Sequence, residues 1–418
     1  MSAPQTPTTR DLINAFGRIG CLSFGGPAAQ IALMEDELVS KRGWLTQDSF
    51  LRALSFCMLL PGPEAMQLAT YAGWRLRGVW GGLLAGLLFV LPGAVVIFAL
   101  AALYLSYGTV PLVREVFLGI QATVIIIVLN ALAKLAGKLD GAEGLMLAAL
   151  AFLGIFAAGL PFPLIILAAG LYGALRAPSS AAPAAVASTP PSAATLLSLI
   201  ALWAGPIALF AFLGASFLLT LSLFFSQLAV VTFGGAYAVL AYMTQTVVQD
   251  FGWITTEAMI DALGLAETTP GPLILVTQFV GILAGYEIGG WPMAVAAGIV
   301  TLWVTFLPCF LWIFAGAPYI ERLTNAPRID AALRAVTAAV VGVILNLSLF
   351  FALHVLFGTV GTMRVGLAEI PVPELASFNL RALLLTLFAG ALMLGAKLSV
   401  LKTLLIMILI SAGLALFA

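Results

Sequence analysis

Charge is what this chain has least of. Asp, Glu, Lys and Arg make up 9% of 418 residues, and the 18 basic and 18 acidic side chains cancel; an ordinary soluble domain is about 25% charged. No basic tract offers a footing for nucleic acid or for anionic lipid. Histidine occurs once, at His354 in an apolar run. With no carboxylate or thiol cluster beside it, the chain lacks the donor set of a metal centre and the acid–base set of a membrane enzyme acting on lipid. The three cysteines, Cys21, Cys57 and Cys309, sit in apolar segments and read as small packing residues rather than a disulfide framework. The polar stretch Met1–Thr9 lacks a basic, apolar leader with a small-residue cleavage site, so the first apolar segment is expected to act as its own uncleaved insertion signal. A Gly-x-x-x-x-Gly-Lys loop is also missing, which argues against ATP drive within the chain. No cofactor and no metal are expected.

Apolar residues fill the space that charge leaves. They are 62% of the chain, and the mean hydropathy is +1.13. Val79–Tyr104 and Arg114–Leu135 both exceed the ~20 residues that carry a helix across a bilayer. Only helices and closed barrels satisfy their backbones in lipid, and these runs lack the alternation of barrel strands. The expected class is an all-α polytopic membrane protein, multi-pass in the lipid bilayer of the cell (inner) membrane.

Residues 177–195, rich in Ala, Pro, Ser and Thr, cannot bury a core and read as an exposed tether. The stretches beside it repeat each other. Phe24, Gly25, Gly26, Ala29, Ala32, Met34, Val39, Gly43 and Trp44 recur 209 positions later, and Pro61 and Pro270 keep the same offset. After an insertion, Pro92 matches Pro308 and Asn130 matches Asn346. Apolar bias alone would not hold Gly, Pro, Trp and Asn in register. The chain therefore divides into a first repeat (1–176), the tether (177–195), a connecting transmembrane segment (196–218) and a second repeat (219–418). Each repeat reads as about six apolar segments, giving about 12–13 in all. They start near residues 10, 47, 79, 111, 142 and 161, and near 219, 256, 289, 329, 379 and 398. The extra segment would turn the second repeat upside down. Basic residues are more numerous on the side of the N-terminus, where Arg10, Arg75, Arg77, Lys134, Lys138 and Arg176 fall, than on the other, where Lys41, Arg42, Arg52 and Arg114 fall. That bias fits a cytoplasmic N-terminus. Two homologous inverted repeats with discontinuous helices point to a transporter with alternating access.

The helix breakers recur as well. Gly25-Gly26-Pro27 answers to Gly234-Gly235, and Pro61-Gly62-Pro63 to Pro270-Gly271-Pro272. Unwound backbone inside a membrane is tolerated where it lines a cavity or is buried in protein. A helix beginning there presents free N–H groups and the positive end of its dipole, a ready anion site. Packing or kinking is the alternative use of such residues. On the anion-site reading, alanine at Pro61, Gly62, Pro270 or Gly271 should abolish transport with stability retained or raised, because alanine is the better helix former; on the packing reading it should destabilise first. Polar residues flank the breaks: Gln67 and Gln278 follow them as substrate contacts, Arg75 as a cation that could attract an anion, and Glu64, after the first Pro-Gly-Pro, and Glu267, before the second, as coupling or gating groups. Glu64 aligns with Leu273 and Glu267 with Met58, so the carboxylates break the symmetry. A dipole-stabilising role suits Glu64 as well. Thr46 and Thr255 read as N-caps, and Glu35-Asp36-Glu37 with Lys41-Arg42 as a solvated helix end.

With these motifs the sequence resembles the chromate ion transporter family in its long, two-domain form. The match rests on the paired Phe-Gly-Gly stretches, on "LLPGPEAMQLATYAGWRLRG" from Leu59 and on "GLAETTPGPLILVTQFVG" from Gly264. The resemblance implies chromate efflux and chromate resistance, with sulfate as the chemical mimic. Family members often carry a third glycine where this chain has Ala236. A sulfate or other anion transporter and a membrane enzyme acting on lipid stay open, and so does a homodimer.

Overall fold

The computed structural model describes residues 7–177, 192–233, 236–320, 326–365 and 368–416. Most of the tether and Gly234-Gly235 lie outside them. Helix dominates. The first repeat forms α1 (Thr9–Leu22), α2 (Gly26–Glu35), α3 (Gln47–Cys57), α4 (Glu64–Tyr107), α5 (Pro111–Ala136), α6 (Gly141–Phe156) and α7 (Phe162–Arg176). The connecting segment becomes α8 (Ala193–Leu213). The second repeat forms α9 (Ser216–Val231), α10 (Ala236–Thr244), α11 (Thr256–Glu267), α12 (Val276–Gly316), α13 (Pro327–Leu356), α14 (Leu380–Gly390) and α15 (Val400–Leu416). Between α13 and α14 stands an antiparallel hairpin, β1 (Val360–Val365) and β2 (Ala368–Pro373), with Val360 opposite Pro373. The apolar periodicity gave no sign of this hairpin.

Five helical stretches among the described residues are long and apolar enough to cross a membrane. The segments beginning near 10 and 47 are shorter, with 14 residues in α1 and 11 in α3. At 1.5 Å per residue, each falls short of a ~30 Å hydrocarbon core. Both caps expected from sequence are formed: Thr46 accepts from the Ser49 N–H and Thr255 from the Ala258 N–H, each at 3.2 Å.

The two repeats share backbone detail beyond their residue matches. Both follow the Phe-Gly-Gly helix with a π-turn, Asp36–Lys41 in one and Gln245–Asp250 in the other. Both bend their long helix at a two-residue break. Arg77 (φ −143°, ψ 32°) and Gly78 (φ 62°, ψ −157°) interrupt α4. Gly289 (φ −155°, ψ 24°) and Gly290 (φ 64°, ψ −158°) interrupt α12 in nearly the same geometry. The backbone reverses at each break. Gly73 and Gly81 then meet so closely that a Cβ on either would strike the other's carbonyl.

Two compact units emerge, each drawing on both repeats. The first comprises the described residues within Met1–Ala101, Pro178–Ala236 and Thr269–Asp330. Here α12 packs against α8 and α9. Trp203 Nε1 donates to Ser226 Oγ at 3.1 Å, and Trp303 Nε1 to the Leu202 carbonyl at 2.8 Å. Apart from Leu199, the side chains of α8 are not buried, as expected of a helix that faces lipid. The second unit comprises Ala102–Ala177, Tyr237–Thr268 and Ala331–Ala418. Its centre is α5, packed by α11, α14 and α15. Small residues permit the approach: Gly264 abuts Ile120, and Gly119 abuts Ser411.

Gly78 and Gly290 occupy a backbone region that costs other residues about 1–3 kcal/mol. Gly78→Ala and Gly290→Ala should each lower the melting temperature in detergent. Gly17→Ala, in the interior of α1 with open space around the added methyl, should leave it unchanged or raise it. Equal melting of all three variants would remove the strained reversals from the account.

Candidate functional site

In the first unit the breaks of one repeat are tied to the Phe-Gly-Gly stretch of the other. The Gly62 N–H donates to the Thr232 carbonyl at 2.9 Å, and the Gly271 N–H donates to the Ser23 carbonyl at 3.0 Å. Ser23 and Thr232 are themselves repeat partners, as are Gly62 and Gly271, each pair 209 apart. The two bonds are thus one bond written twice. The Gly271 N–H is shared with Ser23 Oγ, also at 3.0 Å. Gln30 adds a clamp that has no symmetry mate: its Nε2 donates to the Gly271 carbonyl at 2.7 Å and to the Ser23 carbonyl at 3.2 Å. Ser23, Gln30 and Thr232 are all buried.

These ties are formed on backbone that only glycine adopts easily. Gly25, Gly26, Gly62 and Gly271 have φ of 88°, 80°, 120° and 89°, in the left-handed half of the map. A Cβ on Gly62 would lie 2.8 Å from Gln67 Nε2 and 2.9 Å from Cys309 Sγ. Alanine at Gly62 or Gly271 therefore strains the chain rather than restoring a helix. This corrects the expectation that substitution there raises stability. The N–H groups of these two glycines are also spent on carbonyls, so they are not the free donors that a bare half-helix end would supply.

Beside these ties lies a cavity of about 20 Å³, room for about one water. Its wall brings together Pro27 at the start of α2, Pro63, Glu64 and Ala65 at the start of α4, and Pro272, Leu273 and Ile274 at the turn leading into α12. Gln30, Gly62, Thr232 and Ala236 complete it. The starts of α2, α4 and α10 and the turn before α12 thus border one small space; Pro27, Pro63 and Pro272 have no N–H, so the helix-start residues there with an N–H are Glu64, Ala65 and Ala236.

The remaining site residues fall into place or away from it. Pro61 lies under Gln67, whose Nε2 donates to the Pro61 carbonyl at 2.7 Å. Gln67 Oε1 and Gln278 Oε1 are both buried without a hydrogen-bond partner. Arg75 is exposed and, eleven residues beyond Glu64, lies about 16 Å along α4, so it does not reach the cavity. Gly234 and Gly235 lie outside the described residues. Glu267 belongs to the second unit, where it is buried and accepts from the Tyr237 hydroxyl at 2.7 Å. Glu37 departs from the solvated helix end expected of its cluster: it is buried, and Arg42 donates to its Oε1 through Nε and Nη2.

One carboxylate escaped the sequence reading. Asp261 on α11 is buried in the second unit. Tyr104 donates its hydroxyl to Oδ2 at 3.0 Å, and Gln121 Nε2 donates to Oδ1 at 2.8 Å. Its signal was present, since a carboxylate within the otherwise apolar run 258–266 is expensive and usually functional. Attention to residues beside the breaks passed it over. Among the described residues no three His, Cys, Asp or Glu side chains are grouped to hold a metal ion.

The sequence profile described as "Chromate transporter" matches residues 10–174 and again 219–416. The chain is 32% identical over 339 residues to the "Probable chromate transport protein" of Synechococcus elongatus, covering 80% of this chain and 82% of the relative. It is 32% identical over 349 residues to the "Chromate transport protein" of Cupriavidus metallidurans, covering 81% of each. The protein of that name from Pseudomonas aeruginosa is also 32% identical, over 82% of this chain and 80% of the relative. No solved structure matches the chain.

Gln30 is the asymmetric lock on the cavity, which allows a direct test. Gln30→Leu and Gln30→Glu both remove the donor to the Gly271 carbonyl. Each should cost about 1–3 kcal/mol of stability and abolish anion uptake by reconstituted protein. Wild-type melting and uptake in both variants would show that the clamp is dispensable.

Proposed function

The chain belongs to the chromate transporter family, and from that premise we propose that it exports chromate across the cell's inner membrane by alternating access. The observation that carries this reading is the convergence of repeat-related helix breaks on one small cavity with Glu64 in its wall. A tetrahedral oxyanion accepts hydrogen bonds and donates none. Helix first turns offer donors and positive dipole ends without a fixed cation. The space holds about one water, so an anion enters only when the helix starts separate. That movement would break the Gly62–Thr232 and Gly271–Ser23 ties, which run from one repeat to the other. Both ties lie within the first unit, so the movement is a separation of the paired helix starts inside that unit.

Direction follows from electrostatics. Each elementary charge crossing 100 mV is worth about 2.3 kcal/mol, so an interior-negative membrane favours expulsion of a dianion by about 4.6 kcal/mol. Sulfate has the same shape and charge, and the same site serves it as a competitor. A carboxylate at Glu64 repels a dianion. Binding is therefore favoured when Glu64 is protonated, which links anion movement to proton movement. Glu267 and Asp261, buried in the second unit, are the further carboxylates on which coupling or gating can act.

In vesicles carrying purified protein, chromate flux should be saturable and competed by sulfate; absence of flux would defeat the reading. Glu64→Gln should bind chromate several-fold more tightly and flatten the pH dependence of flux. Glu267→Gln and Asp261→Asn should reduce flux, with a changed pH profile in at least one of them. Unchanged rates and profiles in all three would assign these carboxylates to local structure.

Inverted repeats further require the tether inside and the C-terminus outside. A cysteine at Ser188 should resist a membrane-impermeant thiol reagent applied to cells, while one at Ala418 reacts. Equal labelling would exclude the inverted arrangement.

A further inference from the structure

The second unit holds a much larger cavity, of about 600 Å³, which neither the sequence motifs nor the small cavity explains. Its polar wall draws on five elements, with Tyr242 and Thr244 from α10 and Thr256 from α11 beside the following groups. Gln245 and Gln249 come from the π-turn after α10, Asn346 and His354 from α13, and Thr362 from β1. Gln249 is exposed and Gln245 partly so, which places the π-turn at its mouth. Among the described residues lining it, none carries a carboxylate, an ammonium or a guanidinium. In a chain otherwise so apolar, a wall of carboxamides, hydroxyls and the lone histidine is a concentration of hydrogen-bond donors.

The other repeat shows what this π-turn does when it is not a wall. There the equivalent turn reads Asp-Glu-Leu-Val-Ser-Lys. It is closed by its own ion pairs, Lys41 to Asp36 at 2.6 Å and Arg42 to Glu37 at 3.1 Å. In the second repeat the turn reads Gln-Thr-Val-Val-Gln-Asp. Gln245 stands where Asp36 does, and Gln249 where Ser40 does. The same backbone feature thus has a form closed by ion pairs and a form whose two glutamines line the cavity while its one charge, Asp250, is not among the lining residues. Single π-turns inside helices are frequent at functional sites.

We propose that this cavity is a vestibule that receives a hydrated tetrahedral oxyanion as a second station, distinct from the small cavity. The proposal rests on the oxyanion reading above. The wall offers an anion N–H and O–H donors from Gln245, Gln249, Asn346, Thr256 and Thr362, with no carboxylate among the lining residues to repel it. His354 Nδ1 lies 2.8 Å from the Phe350 carbonyl. A nitrogen facing a carbonyl carries the hydrogen, so Nε2 of the neutral ring is a lone-pair acceptor, and the donors left for an anion are the amides and hydroxyls of the wall. The absence of fixed cations keeps the hold weak, as a station that must be vacated requires.

Gln249 gives a test by the sign of charge. Two charges against one about 6 Å away in a water-like dielectric change affinity about tenfold. Equilibrium binding of radiolabelled chromate to the purified full-length protein should weaken by about that factor in Gln249→Glu. It should strengthen in Gln249→Lys, with both effects shrinking as salt rises. Ser40→Glu and Ser40→Lys, at the equivalent exposed place in the first repeat, should move binding far less. Opposite signs at position 249 and their absence at position 40 support the vestibule. Equal effects of Glu and Lys at Gln249, or no effect of either, overturn it. The binding readout does not depend on flux. A wild-type protein that binds chromate with this charge signature but moves none would defeat the transport reading while sustaining the vestibule. Flux without the signature would do the reverse.

Discussion

Every feature of the first unit answers to one constraint: backbone unwound inside a membrane must find its hydrogen bonds within the protein, because lipid supplies none. The chain meets that constraint by reciprocity. Gly62 donates to Thr232, and Gly271 donates to Ser23. Each repeat thereby satisfies the break of the other. A duplicated chain can do this with one invention used twice, since a contact that works between two copies of a motif is formed again in the inverse sense. It also explains why the glycines cannot be exchanged freely. Positive φ turns the N–H toward the partner stretch, and the neighbouring Gln67 and Cys309 leave no room for a methyl group at Gly62.

Much of this was legible in the sequence, and the reasons differ by feature. Gly and Pro stand out against an apolar background, so the breaks and their register could be located from spacing alone. The starts expected near 79 and 289 coincide with the reversals at Arg77–Gly78 and Gly289–Gly290. Caps at Thr46 and Thr255 followed from local chemistry. The partners of the breaks did not. That Gln30 closes on Gly271 is a contact across 241 positions, and Val239 in the equivalent place leaves no repeat to reveal it. Arg75 looked useful for its charge, yet helix length carries it away from the cavity. The hairpin at 360–373 escaped because a short insertion between two apolar segments has no periodicity of its own.

The asymmetries then acquire meaning as departures from a symmetric frame. The frame supplies paired breaks, paired reversals and paired π-turns. On it the first repeat places Glu64 and the clamp Gln30 at the small cavity. The second places amides where the first has ion pairs. A perfectly symmetric protein would present identical faces to both sides of the membrane. A transporter gains direction from the potential and from groups that differ between its halves.

Mostly neutral groups around the proposed anion path suit the demands of turnover. An arginine buried against a dianion would form a charge-assisted, bidentate pair, and leaving one partner behind in the membrane costs several kcal/mol. Release would then be slow. Helix dipole ends and amide donors spread a partial positive charge over rigid backbone and bind more weakly. They also cost nothing to leave empty, because a vacated N–H can return to a carbonyl, as those of Gly62 and Gly271 do beside the small cavity. The bonds that seal the site and the bonds that would hold an anion draw on the same kind of donor. Exchange between the two sets can therefore proceed without exposing an unpaired charge to lipid at any stage.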